Sequence, residues 1–256
     1  MPSDGLRGYV ICGEQRSGSS YLCQMLTSTG LLGRPIEYFS GPGMATYFPG
    51  YPQDPEGQLR QVTERGTTPN GVYGLKIFSA DFDRIGRIGW ARRLPNLRFV
   101  SLTRRDLLGQ AISAARSAQT GQYASIVGAS KVPVYDRALI ISELHRLAAG
   151  QTRWAVFFAR CGLMPLHLEY EEIVADPQKA VDAVARLVGV KQPTIVDPGQ
   201  IRTRVQRDCL SEEWRARLLA EAADLDFLDN PFPSPSPSSL ATRVKRKMAR
   251  WVRRAS

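Results

Sequence analysis

The sequence predicts an α/β protein, a P-loop-like three-layer fold in which a central parallel sheet is flanked by helices. Short apolar runs alternate along the chain with stretches of helical periodicity, and strands separated by helices pair in parallel with helices over both faces. The first run, Tyr9-Val-Ile-Cys12, passes through the turn Gly13-Glu-Gln-Arg-Ser-Gly18 directly into an apolar-periodic helix. The same order of strand, polar turn and helix returns between Leu97 and Ser113.

The first helix spans about Ser19 to Thr29. After Gly30 to Phe39, the Gly/Pro-rich stretch from Ser40 to Pro55 reads as a long irregular segment, of a length that often serves function. A turn at Thr68-Pro-Asn-Gly71 introduces a second strand, Val72 to Phe78, and Leu97 to Leu102 forms a third, with a helical stretch between them. A fourth strand falls at Pro165 to Glu169. Helical patterns run from about Asp106 to Ala118, from Tyr135 to Arg160 in one or two pieces around Gly150, from Pro177 to Val188, and from Ser211 to Ala223. In sheets of this kind ligands sit at the carboxyl ends of the strands, which is where the Gly13 to Ser20 turn lies.

At 256 residues the chain divides by composition into a folded body over 1–230, a Pro/Ser linker over 231–239 and a basic tail over 240–256. No apolar signal region follows Met1, and no run of about 18 apolar residues occurs, so neither an ordinary secretion signal nor a membrane span is expected. Cys12, Cys23, Cys161 and Cys209 are widely spaced, which favours reduced thiols and a cytoplasmic setting. With His145 and His167 as the only histidines, neither a histidine metal centre nor a triad is expected, and no metal is called for. Of the net charge of +10, seven positive charges lie in the tail, so the body is only mildly basic. Leu240, Val244, Met248, Trp251 and Val252 fall on one helical stripe among those charges. That pattern suits an anionic membrane surface at the inner face of the membrane; a disordered basic tail is the other reading, and nucleic acid is disfavoured because the body has no recognition motif.

The turn is suited to an anion. A strand ending at Gly13 and a helix beginning near Ser17 to Ser19 leave backbone N–H groups without intrahelical partners, all aimed at one point, and the helix dipole adds to them. Gly18 lets the backbone approach, Ser19 and Ser20 add hydroxyls, and Arg16 places a permanent charge at the rim. The nucleotide-hydrolase signature G-x-x-x-x-G-K-[ST] is broken, because Ser19 stands where the lysine belongs. An ordinary strand-turn-helix corner is the plainer alternative. The second turn, Thr103-Arg-Arg-Asp106, has an N-cap in Asp106, which places Arg104 and Arg105 at the strand end and Ser113 two turns into the helix. An arginine and a serine there could converge on a second phosphate; a capped surface corner is again the plainer reading.

Gln15-Arg-Ser-Gly-Ser-Ser20, Arg104 with Ser113, and Tyr170-Glu-Glu-Ile-Val-Ala-Asp-Pro177 resemble the PAPS-dependent sulfotransferases. Within them, Gly33-Arg-Pro-Ile-Glu-Tyr-Phe39, Thr68 to Lys76 and Gln206-Arg-Asp-Cys-Leu-Ser-Glu-Glu-Trp214 are similar to the bacterial trehalose 2-sulfotransferase-type family of carbohydrate sulfotransferases, over roughly residues 8 to 225. The resemblance implies a fold of sulfotransferase type and, as co-substrate, 3′-phosphoadenosine-5′-phosphosulfate (PAPS). Its 5′-phosphosulfate would lie on Arg16, Ser17, Gly18, Ser19 and Ser20, and its 3′-phosphate on Arg104 and Ser113, with Arg204 or Arg207 closing over the same phosphate. Two charge-assisted hydrogen bonds to that phosphate contribute about 3–6 kcal/mol, or roughly a hundred- to ten-thousandfold in affinity.

The resemblance also implies Glu37 as the catalytic base, Arg16 as part of the clamp on the leaving group, and Tyr38-Phe39 as a sugar-stacking wall, with Lys76 adding positive charge nearby. Family members carry Arg-Pro-Asp where this chain has Arg104-Arg105-Asp106, so either arginine could face the phosphate. The acceptor is expected to be a carbohydrate or glycolipid hydroxyl, on a trehalose-like or lipopolysaccharide sugar. Family members can be homodimers. A small-molecule kinase using the same turn, or a non-catalytic basic membrane-binding module, are the competing classes.

Overall fold

The computed structural model describes residues 5–121, 132–203 and 209–221. Contacts group the chain into residues 1–212, which carry the sheet and the candidate site, and residues 213–256, of which the end of the last helix is described. The linker and tail expected at 231–256 lie outside the described residues.

Four strands, β1 (Arg7–Gly13), β2 (Val72–Phe78), β3 (Leu97–Thr103) and β4 (Leu166–Glu169), form one parallel sheet in the order β2-β1-β3-β4. Residues along β1 alternate between two cores. Tyr9 and Ile11 pack with Leu22, Met25, Leu26, Val181 and Val184 on one face, while Val10 and Cys12 pack with Tyr73, Leu75, Ile77, Trp154 and Phe158 on the other. Both faces of the sheet are therefore buried, as parallel sheets require. The register places Gly13 beside Phe78 and Thr103 beside Glu169, so all four strands end along one edge.

The helices are α1 (Ser19–Ser28), α2 (Gly41–Tyr47), α3 (Pro55–Gly66), α4 (Phe82–Ile85), α5 (Trp90–Arg93), α6 (Leu107–Thr120), α7 (Arg137–Cys161), α8 (Tyr170–Ala175), α9 (Pro177–Leu187) and α10 (Cys209–Glu221). Most starts follow local chemistry: the side chains of Asp54, Asp106, Asp136 and Asp176 each accept a bond from a backbone N–H in the first turn of α3, α6, α7 and α9.

The expected irregular stretch from 40 to 55 is a correction, since α2 occupies its first half and α3 opens at its end. Proline within the first turn costs a helix nothing, because its missing N–H is one the helix leaves unbonded. Met44 and Tyr51 then bury this segment in the second core. α7 passes through Gly150 unbroken. No helix among the described residues is long and apolar enough to cross a membrane, and all four cysteines are free thiols.

Candidate active site

The turn between β1 and α1 adopts its shape through two left-handed residues, Arg16 at φ 63° and Gly18 at φ 84°. Gly18 is required twice over. Its φ disfavours any side chain, and a Cβ there would stand 2.2 Å from the Tyr170 ring. Arg16 is the less usual case, a long side chain in a region non-glycine residues seldom adopt, and such strain is maintained only when surrounding contacts hold it. Those contacts are present: Gln110 Nε2 donates to the Gln15 carbonyl at 2.7 Å, and Arg104 Nη1 donates to the Arg16 carbonyl at 3.2 Å. Gly18 caps α1 with no side-chain hydrogen bond, so the first amides of that helix have no capping side chain.

The Arg16 guanidinium does not stay at the rim of its own turn. Its Nε donates to Ser113 Oγ at 2.8 Å, which joins the first anion-binding turn to the second feature on α6. The sequence treated these as separate places. Burial lowers the pKa of Arg16, and the charges of Arg104 and Arg116 lower it further. Three cations gathered this way mark a place made for negative charge.

Arg104 and Arg105 separate clearly. The Arg105 side chain is exposed and pairs with Glu169, whereas Arg104 lies inward, its guanidinium 5.0 Å from the Tyr170 ring centroid and 3.6 Å from Asp106. Arg104 is the arginine that faces the turn. Arg204 and Arg207 lie outside the described residues.

Glu37 is linked to the first turn of α1 through Lys76. Lys76 N donates to the Ile36 carbonyl at 3.0 Å, which pins the 36–38 segment alongside β2. Lys76 Nζ then lies 2.8 Å from Glu37 Oε1 and 3.4 Å from Ser20 Oγ. Burial alone would lower the pKa of Lys76, but the Glu37 carboxylate and Cys23 together outweigh it and the net shift is upward. A charged pair thus stands beside the helix end that carries Ser19 and Ser20.

Tyr38 and Phe39 are a correction. Both are buried, and neither can stack on a sugar. The Tyr38 hydroxyl donates to the Arg34 carbonyl, and Phe39 packs edge-on against Trp90. Aromatic area of this size is worth more in a core than exposed at a cleft, and the pinned 36–38 segment turns it inward.

Sequence reasoning also passed over three residues of the site. Tyr170, quoted only as part of a motif, covers Gly18 and Arg104. Gln110 holds the turn by donating to the Gln15 carbonyl, and Glu14 is buried in the same turn. Neither carries a sequence signal, since each acts on a partner distant in the chain.

The Stf0 sulphotransferase family model matches residues 8–221. The chain belongs to the Stf0 sulphotransferase family. Two trehalose 2-sulfotransferases are similar along nearly their whole length. That of Mycobacterium tuberculosis is 27% identical, covering 87% of this chain and 98% of its own. That of Mycolicibacterium smegmatis is 23% identical, covering 86% and 97%. Among solved structures, the sulfotransferase domain of the Synechococcus PCC 7002 olefin synthase superposes with a TM-score of 0.41 at 15% identity, covering 90% of this chain and 97% of that one. The fold assignment rests on the sheet order and the turn rather than on that superposition.

An Stf0 sulphotransferase needs a sulfate donor as co-substrate, and the residues of this turn fit an anionic one. Ser17 Oγ and Arg104 Nε are buried without a hydrogen-bond partner, although each could donate to an anion oxygen. Buried donors left without partners cost about 1–3 kcal/mol each, which a ligand oxygen would recover. Among the described residues, no group of His, Cys, Asp and Glu is arranged to hold a metal ion.

Proposed function

We propose that this Stf0 sulphotransferase transfers the sulfuryl group of PAPS to a hydroxyl of a carbohydrate or glycolipid acceptor, with a trehalose-like sugar as the first candidate. The observation that carries the reading is the span of charge around one turn: Arg16, Arg104 and Ser113 on one side, and Glu37 with Lys76 on the other. The similarity to two trehalose 2-sulfotransferases supports the choice of sugar. When bound, PAPS supplies an activated sulfuryl group and a stable leaving group, 3′-phosphoadenosine-5′-phosphate (PAP).

In this reading the amides at the start of α1, with Ser17, Gly18, Ser19 and Ser20, hold the 5′-phosphosulfate and stabilise the charge that grows on the leaving phosphate. Arg104 and Ser113 hold the 3′-phosphate, and Arg16, whose side chain is bonded to Ser113, serves that end with its guanidinium and the transfer end with its backbone. Arg204 or Arg207 would close over the same phosphate. Glu37 receives the proton of the acceptor hydroxyl as its oxygen attacks sulfur, leaving the electron pair of the broken S–O bond on PAP. Lys76 keeps the Glu37 carboxylate oriented and adds positive charge beside Ser20. General base catalysis of this kind is worth roughly a hundred- to ten-thousandfold.

A comparison of thermal shifts with PAP, ADP and ATP tests the donor assignment, since a ligand that binds only the folded state raises its melting temperature. PAP should raise it well above either of the others. An equal shift with ADP would remove the 3′-phosphate from the reading, and with it the roles of Arg104 and Ser113. The basic tail of residues 240–256 favours an acceptor presented at an anionic membrane, and loss of liposome binding on deleting 231–256 would support this.

A further inference from the structure

Glu14 lies in the phosphate-binding turn, is 2% exposed and takes no part in the chemistry above. Its carboxylate points away from the anion site into the junction of three elements. Oε1 accepts the backbone N–H of Ser79, just beyond the end of β2, at 3.3 Å. Oε2 lies 3.9 Å from Arg146 Nη1 on α7. Gly150, one turn further along α7, gives the carboxylate its seat, because a Cβ there would come within 2.3 to 2.6 Å of all three carboxyl atoms. α7 grips the turn on both sides of Glu14 as well: Trp154 Nε1 donates to the Gly13 carbonyl at 3.0 Å, and Arg146 Nη2 to Gln15 Oε1 at 3.4 Å.

A carboxylate in this place is a cost to the fold. Burial pushes its pKa up, and the Ser79 hydroxyl and N–H, Arg146 and Arg153 offset only part of that. Arg146 is itself shared with Glu143, and Arg153 with Asp83. The strand that ends just before Ser79 carries Lys76, so a link from Glu14 to Ser79 also fixes the turn relative to the Glu37–Lys76 pair.

We infer that Glu14 is a positioning residue: seated on Gly150, it braces the phosphate-binding turn against the end of β2 and the middle of α7, and so sets how firmly the turn can hold the sulfate donor. The part concerning the donor rests on the function proposed above, while the brace itself does not.

Hydrogen exchange of the amides of residues 15–20 in the full-length protein, without nucleotide, tests the brace. In Glu14→Ala these amides should exchange about tenfold faster, the scale of one lost charge-assisted hydrogen bond. Gly150→Ala should do the same by displacing the carboxylate. The double variant should exchange no faster than Glu14→Ala alone, because the group that the new methyl would strike has gone. Glu14→Gln, which keeps an acceptor for the Ser79 N–H, should restore exchange to within about threefold of the parent. In parallel, the Kd for PAP should rise about tenfold in each single alanine variant. Exchange at the parent rate in both single variants, or full additivity in the double, would overturn the brace. If the parent protein itself ignored PAP, the donor reading would fall and the exchange comparison would still judge the brace.

Discussion

Exchanging Glu37 for glutamine should harm the protein in two separable ways. Glu37→Gln preserves shape and removes charge, so Lys76, 5% exposed, is left as a buried ammonium without its counter-ion. Breaking a fully buried pair costs about 3–5 kcal/mol. Because Glu37 is 37% exposed, solvent screening reduces that to about 1–3 kcal/mol, or about 2–10 °C in melting temperature for a chain of this size. The reverse exchange is cheaper. Lys76→Met leaves a carboxylate that water can reach and should cost about 1 kcal/mol or less, and the double variant should regain most of the loss. The pH dependence follows from the same pair. Glu37 holds the Lys76 pKa above its ordinary value, so the stabilisation is complete below the usual lysine range and is lost as pH rises through the folded value. With Glu37 neutral, burial is opposed only by Cys23, and the variant's Lys76 should shed its proton at lower pH.

Turnover should fall roughly a hundred- to ten-thousandfold in Glu37→Gln, measured as sulfated trehalose by mass spectrometry, while the PAP-induced thermal shift persists. Unchanged turnover would remove Glu37 as the base. Equal destabilisation by Glu37→Gln and Lys76→Met would refute the argument from unequal burial.

Other consequences concern binding, packing and pH. Arg104→Ala should weaken PAP binding roughly ten- to a hundredfold by calorimetry, whereas Arg105→Ala, whose side chain pairs with Glu169 at the surface, should stay within about threefold. Phe39→Ala should cost about 3–5 kcal/mol in urea unfolding, as for a core aromatic, and leave the acceptor KM of the folded fraction unchanged; a raised KM with full stability would restore it to the acceptor wall. The raised pKa of Glu14 means that the folded state holds its proton more tightly than the unfolded chain, so wild-type stability declines as pH climbs from the ordinary carboxyl range. Glu14→Gln lacks that pH dependence. Urea unfolding at about pH 4 and about pH 7.5 should show the variant gaining on the wild type at the higher pH, and no change in their difference would count against a buried, ionisable carboxylate there.

Much of this protein was legible without coordinates because its signals are local. A glycine turn between an apolar run and a helical pattern, an aspartate at a helix start and a Thr-Pro-Asn-Gly turn act on neighbours a few residues away, and the structure bears out the four strands and their parallel pairing. The stretch from 40 to 55 was misread for an equally local reason: glycine and proline were taken as loop formers where proline opens two helices.

What the sequence alone determined was the sheet, the longer helices that follow its strands and the strand edge that carries the glycine turn. Only the tertiary structure decided which side chains meet there. Arg16 and Ser113 lie 97 positions apart, and Glu14 and Ser79 lie 65 apart, so no periodicity or spacing could pair them. The choice of Arg104 over Arg105 turns on Glu169 drawing one of two adjacent arginines outward. Tyr38 and Phe39 face the core because Lys76 and Ile36 are hydrogen-bonded across a segment boundary. Local propensity sets where elements begin and end; side-chain direction is set by whatever the packed chain brings opposite, and that exists only once the chain has folded.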